Sequence, residues 1–225
     1  MQYLNRRTLL KGAGVALAGA GALAATRPRT VVDFSAGVPS AEAITRAGHV
    51  GAVRYVSRPR EAWMKAKPVT LAETLVLDTA SVYQYGKGDT ADWRRGALGA
   101  LEHAPQAMAL HAAAGGPQGR PIYMAIDDNP SRAEYEQLIL PYLAACKSAL
   151  EAGGYRLGVY ANYPTIEWCL ADGLGEFFWQ HDWGSQGKIH PRATLHQVAG
   201  WQSTIDGVTV DVNNVYATDW GQWRA

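Results

Sequence analysis

The chain has 225 residues, 48% of them hydrophobic and 18% charged, which is enough for one well-filled core and short for two full domains. Its 21 basic and 20 acidic side chains leave a net charge of +1, which removes the electrostatic case for nucleic acid or an anionic membrane as partner and favours a neutral ligand. Eight tryptophans and eleven tyrosines are many for this length, and aromatic faces that do not fit in a core commonly line sites for flat or sugar-like ligands.

Residues 1–26 read as a segment apart from the fold. Asn5-Arg6-Arg7-Thr8-Leu9-Leu10-Lys11 precedes a Gly/Ala/Leu/Val stretch from Gly12 to Ala25, and small residues flank a cleavage position near Ala22-Leu23-Ala24. This resembles a twin-arginine (Tat) export signal. Its fourteen apolar residues fall short of the roughly 20 that a spanning helix needs, so no stable membrane span is expected. The expectation is a signal over 1–26, a single domain over 27–225, contact with the Tat export machinery, and a mature protein that is extracellular or associated with the cell envelope. An oxidising compartment permits a bridge between the two cysteines, Cys146 and Cys169, and two buried free thiols are the plainer and favoured reading.

From Thr30 the chain alternates. Short β-rich runs at 31–35, 52–57, 81–86, 121–128 and 156–162 are each followed by a helical pattern, the mark of βα units and a parallel sheet. Thr70-x-x-Glu73 and Ser131-x-x-Glu134 have the capping-box spacing, and Gly153-Gly154 stops the helix that begins at Ser131. After a helix over Pro164–Leu170 the rhythm changes, and runs near 177–182, 194–198 and 208–213 follow with connections too short and polar for full helices. The predicted fold class is α/β, a TIM-like (β/α) barrel of five βα units followed by three strands with short connections.

Chemistry in such barrels gathers at the carboxyl-terminal strand ends. With side chains alternating, the valines 208, 210 and 212 share the face toward the helices, which leaves Asp211 and Asn213 pointing inward. The same count pairs Asp33 with Ser35, Asp127 with Asn129, and Tyr160 with Asn162, and puts Asp128 on the other face, where it reads as the turn into the helix at Ser131. Three inward carboxylates at one end of a barrel repel and desolvate one another, an arrangement that points to a working site. His181, Asp182 and His196 have no recognised ligand spacing, so no metal is expected. Glycine-rich phosphate loops and serine-nucleophile motifs are absent from the mature sequence, and no cofactor is expected.

Asp-x-Ser on the first strand, Arg-Tyr on the second, Ile-Asp-x-(acid or amide) on the fourth, Gly-Val-Tyr-x-Asn on the fifth, Trp-Gln on the sixth and Gly-Val-x-x-Asp-x-Asn on the last carry a resemblance. The chain resembles the exported glycoside-hydrolase-like domains of mycobacteria and other actinobacteria, relatives of the Chalaropsis-type lysozymes of glycoside hydrolase family 25. The resemblance implies catalytic carboxylates at Asp33, Asp127 and Asp211. It also implies substrate contacts from Ser35, Arg54, Asn129, Tyr160, Asn162, Trp179, Gln180, Gln197 and Asn213, and a cell-wall glycan or other polysaccharide as partner. The glutamate that serves those lysozymes as general acid falls on Asn129, which has no proton to give near neutral pH. Glycoside hydrolysis needs a proton donor and a second carboxylate. None of the nine glutamates falls at a strand end, so the acid would be an aspartate, from Asp127, Asp128, Asp182 or Asp211. Two readings follow: an exported hydrolase of peptidoglycan or a related polysaccharide, or a barrel that binds glycan without cutting it.

Overall fold

The computed structural model describes residues 28–56 and 77–224. The export-signal reading, the Thr70-x-x-Glu73 cap and the helix expected after the second strand lie outside them. Eight strands close into one barrel in sequence order: β1 Thr30–Asp33, β2 Gly51–Tyr55, β3 Asp78–Tyr83, β4 Pro121–Ala125, β5 Arg156–Ala161, β6 Phe177–His181, β7 Leu195–Ile205 and β8 Val208–Val215. Neighbours from β1 to β7 are parallel, while β8 runs antiparallel to both β7 and β1. The amino-terminal half of β8 therefore meets the carboxyl ends of the other strands, and Asp33 stands directly across from Asp211.

Helices follow β1 (α1, Ala41–Arg46), β3 (α2, Ala97–Ala113), β4 and β5. The one after β4 begins at Arg132 and ends at Ala152, with a π-helical stretch at Tyr135–Ile139 ahead of Pro141, whose missing N–H cannot continue the regular ladder. Its capping box is the one expected: Ser131 Oγ accepts from the Glu134 amide, and the Ser131 amide donates to the Glu134 carboxylate at 2.9 Å. The helix after β5, Tyr163–Ala171, is capped by Asn162. The β6–β7 connection has no helix, and β7 turns into β8 through Asp206-Gly207, both at positive φ as a two-residue hairpin turn requires.

Alternation sorts the strand residues into two layers. Val31, Val53, Ala80, Val82, Tyr123, Tyr160, Trp179 and Leu195 fill the barrel, while Val32, Ala52, Ile122, Met124, Val159, Phe178 and Val212 face the outer layer. Gly158 makes room inside: a Cβ there would stand 2.8 Å from the Tyr123 ring. The end of the chain folds beneath the strands. Trp220 plugs the floor, fully buried, with its carbonyl accepting from the Tyr123 hydroxyl at 2.7 Å. Trp223 pairs with Thr79 and donates from Nε1 to Ser81 Oγ, which also lies 2.8 Å from His111 Nδ1. Floor and interior are thus packed solid, and any site must lie above Tyr160 and Trp179.

The cysteines sit on separate helices as buried free thiols, each pushed up to about 12 mainly by burial. They are inert.

Candidate active site

Asp33 is the hub of the mouth. It is 3% exposed, and two carboxamides reach it: Asn213 Nδ2 donates at 2.7 Å to Oδ2, and Gln197 Nε2 donates to both oxygens at 3.0 and 3.1 Å. Each amide is fixed in turn by an aromatic donor. Trp179 Nε1 donates to Asn213 Oδ1 at 2.7 Å, and the Tyr160 hydroxyl donates to Gln197 Oε1 at 2.5 Å. Because an indole N–H can only donate, Asn213 must turn its NH2 toward Asp33. Burial pushes the Asp33 carboxyl up from 3.8 to about 7; Asn213 and Gln197 pull the other way, and the neighbouring Asp211 and Asp127 carboxylates add to the rise.

The other two carboxylates are more open. Asp127, just past β4, is half-buried and accepts from Gln84 Nε2 at 3.3 Å. Asp211, half-buried, accepts from Gln202 Nε2 at 2.8 Å. Being opposite Asp33 on an antiparallel neighbour, Asp211 has its Cβ roughly 4.5–5.5 Å from that of Asp33. Ser35 is half-buried two residues beyond Asp33.

Tyr55 faces the same space. Its hydroxyl is raised well above the usual value, by burial first and then by Asp33, Asp127 and Asp211 together, so all three carboxylates act on one point. His181 also turns inward, its ring 5.0 Å from that of Tyr160 and its Nε2 3.2 Å from the Ile126 carbonyl; burial lowers its value despite Asp127 nearby, so it stays neutral.

Several expected contacts stand elsewhere. Arg54 points out of the barrel, buried, with its guanidinium 4.6 Å over the Phe34 ring beside α1; alternation on β2 gives the mouth to Tyr55 instead. Trp179 is buried inside the barrel and meets the site only through Asn213. Gln180 faces outward, where its amide holds the Lys188 carbonyl and the His190 amide and shapes the β6–β7 connection. Asp128 is a turn former: its Oδ1 accepts from the Asn129 amide, and Arg94 lies 3.6 Å away. Asp182 and His196 pair with each other at 2.8 Å on the outer side of the barrel. Burial alone would raise Asp182, but the Ala199 amide and His196 outweigh it and hold the carboxyl below its ordinary value.

The sequence reading missed Tyr55, Gln84 and the inward turn of His181. Counting by two from Val53 and Val82 finds the first two. Gln84 is held there by a loop that Asp92 organises: its carboxylate accepts from the Tyr85 and Gly86 amides at 2.9 and 2.7 Å.

Asn129 is exposed at the rim. Its Oδ1 accepts from Asn162 Nδ2 at 2.9 Å, and Gly184 crowds it so closely that a Cβ on residue 184 would collide with that oxygen.

Residues 42–215 match the family of Rv2525c-like, glycoside hydrolase-like domains. A Mycobacterium tuberculosis protein named "Putative peptidoglycan hydrolase Rv2525c" is 50% identical over 202 residues, 86% of this chain and 83% of its own. The crystal structure of the M. tuberculosis Tat-secreted protein Rv2525c with L-tartrate covers 87% of this chain and 98% of its own at 50% identity, with a TM-score of 0.81. The modular autolysin LytC of Streptococcus pneumoniae shares the fold at 14% identity, covering 84% of this chain and 47% of that one with a TM-score of 0.54.

Proposed function

The chain belongs to the family of Rv2525c-like, glycoside hydrolase-like domains, and from that premise we propose that it is an exported protein acting on cell-envelope glycan, peptidoglycan or a related polysaccharide. Export rests on the Arg6-Arg7 segment and on the 50% identity to a Tat-secreted mycobacterial protein. The TIM-like reading with five βα units is part of the same proposal. The observation that carries the function is Asp33: a buried carboxyl raised to about 7, beneath two partly exposed carboxylates. In this reading Asp33 holds the proton that a glycosidic leaving oxygen must receive. Asp127 and Asp211 reach the sugar and serve as base, nucleophile or stabiliser of the positive charge that develops on the ring. Ser35, Tyr55, Tyr160 and His181 line the space between them.

A second reading has its own support. Asn129 stands where the related lysozymes carry their acid, and its amide oxygen is already engaged by Asn162, so the mouth can bind glycan without cutting it. The test is release of soluble fragments from purified peptidoglycan and arabinogalactan, analysed by mass, for the wild type and for Asp127→Asn. The hydrolase reading expects wild-type release that falls by about 10²- to 10⁴-fold in the variant. No release by either protein, with the polymer still retained in a pull-down, decides for the binding barrel.

A further inference from the structure

Asn129 is oriented by a chain of bonds that leaves it no choice. The main-chain N–H of Thr165 donates to Asn162 Oδ1 at 3.0 Å, as the cap of the helix Tyr163–Ala171. That commits Asn162 Nδ2 to Asn129, where it donates at 2.9 Å, and so commits Asn129 to presenting its oxygen inward. A flipped Asn129 would set two NH2 groups against each other. The Asn129 NH2 group therefore points away from Asn162 at an exposed position, and it makes no hydrogen bond to any of the described residues.

The ligand this donor suits is an uncharged acceptor. Asp127, two residues earlier, together with Asp211 makes the mouth hostile to a carboxylate or phosphate oxygen, Asp128 being turned aside toward Arg94. Gly184, which crowds Asn129, is preceded in the chain by Trp183, whose side chain is 59% exposed and offers a flat apolar surface on the same loop. A carbonyl oxygen beside a sugar ring is what an N-acetylated sugar offers.

We propose that Asn129 is the specificity-determining donor of the mouth, its Nδ2 binding the acetamido carbonyl of an N-acetylated sugar whose ring lies against Trp183. This rests on the glycan reading above and narrows it: the position that lost an acid recognises the acetamido group.

The test compares two uncharged ligands, tetra-N-acetylchitotetraose and cellotetraose, which differ by acetamido against hydroxyl, by titration calorimetry on the full chain. Asn129→Asp keeps an oxygen for Asn162 and exchanges the outward donor for an acceptor, so the local structure is preserved, and melting curves verify it. The wild type should prefer the acetylated ligand. Asn129→Asp should bind that ligand about tenfold or more weakly while its affinity for cellotetraose stays within about twofold. Trp183→Ala should weaken both ligands. Equal wild-type affinity for the two, or a preference that survives in Asn129→Asp, overturns the inference and leaves the glycan reading standing. A wild type that binds neither tetrasaccharide also overturns it, and if it fails to retain peptidoglycan as well, the glycan reading falls with it.

Discussion

At the floor of the barrel, Trp220, Tyr123 and Gly51 close the interior, and in the outer layer the ionisable group of the Ser81–His111–Trp223 cluster is kept uncharged: His111 is lowered to about 4, chiefly by burial. At the mouth, one strand length away, three carboxylates crowd together and burial raises Asp33 to about 7. The floor is built of uncharged groups, with the buried Trp220 Nε1 left without a hydrogen-bond partner among the described residues, whereas the mouth holds a charge pattern that folding alone would not favour. Within one continuous barrel, apolar packing closes the end held by Trp220, and carboxylates gather at the end where the strands finish.

The strongest way to break this comparison is to empty the floor. Trp220 is fully buried, and a Cβ on Gly51 would already lie 3.0 Å from its ring, so Trp220→Ala should cost about 3–5 kcal/mol in chemical denaturation. A cost under about 1 kcal/mol would show that the tail is an ornament on the barrel.

Opposite pH limbs should separate the two ends next. Asp33 keeps its proton in the fold up to about 7, while an ordinary carboxyl releases it near 3.8, so its contribution is full below 3.8 and is lost as pH rises through 7. His111 has a folded value of about 4 against 6.5, so its contribution is full above 6.5 and is lost as pH falls through 4. Each limb is worth on the order of 2–4 kcal/mol. Melting temperatures across pH should show Asp33→Asn more stable than the wild type at pH near 8 with its upper limb flattened, and His111→Gln flattened on the acid side. A variant that flattens the wrong limb would dissolve the contrast.

A smaller effect sharpens it within the mouth. Asn213→Ala removes a donor from Asp33 and orphans the buried Trp179 N–H, which should cost roughly 1–3 kcal/mol. It should also move Asp33 further up, read by infrared titration of the carboxyl. An unmoved Asp33 would mean that Asn213 supports only Trp179.

Much of the mouth was legible in the sequence because its residues obey the period of two. Asp33, Asp127, Tyr160, Asp211 and Asn213 all alternate with apolar residues that face the outer layer: Val32, Ile126, Val159, Ala161, Val210 and Val212. The existence of all eight strands was readable from their β-rich composition and spacing, and the Ser131 and Gly153 helix limits followed from capping chemistry. Where the reading followed family likeness ahead of that count, it chose Arg54 over Tyr55 and took Trp179 and Gln180 for ligand contacts, although adjacent residues cannot both face the mouth. The antiparallel course of β8 and the long β7 were not legible, since strand direction depends on partners far away in sequence and the bulge between Gln197 and Gln202 breaks the alternation. Nor was the floor: nothing near Trp220 or Trp223 in sequence announces that they meet Gly51 and Ser81.

The most direct measurement is the pH profile of fragment release from purified peptidoglycan by the wild type and by Asp33→Asn. If Asp33 supplies the proton, wild-type release declines as pH rises through about 7, and the variant loses release by about 10²- to 10⁴-fold across the range. A wild-type profile flat from pH 5 to 9, or a variant that keeps the wild-type rate, would contradict the account.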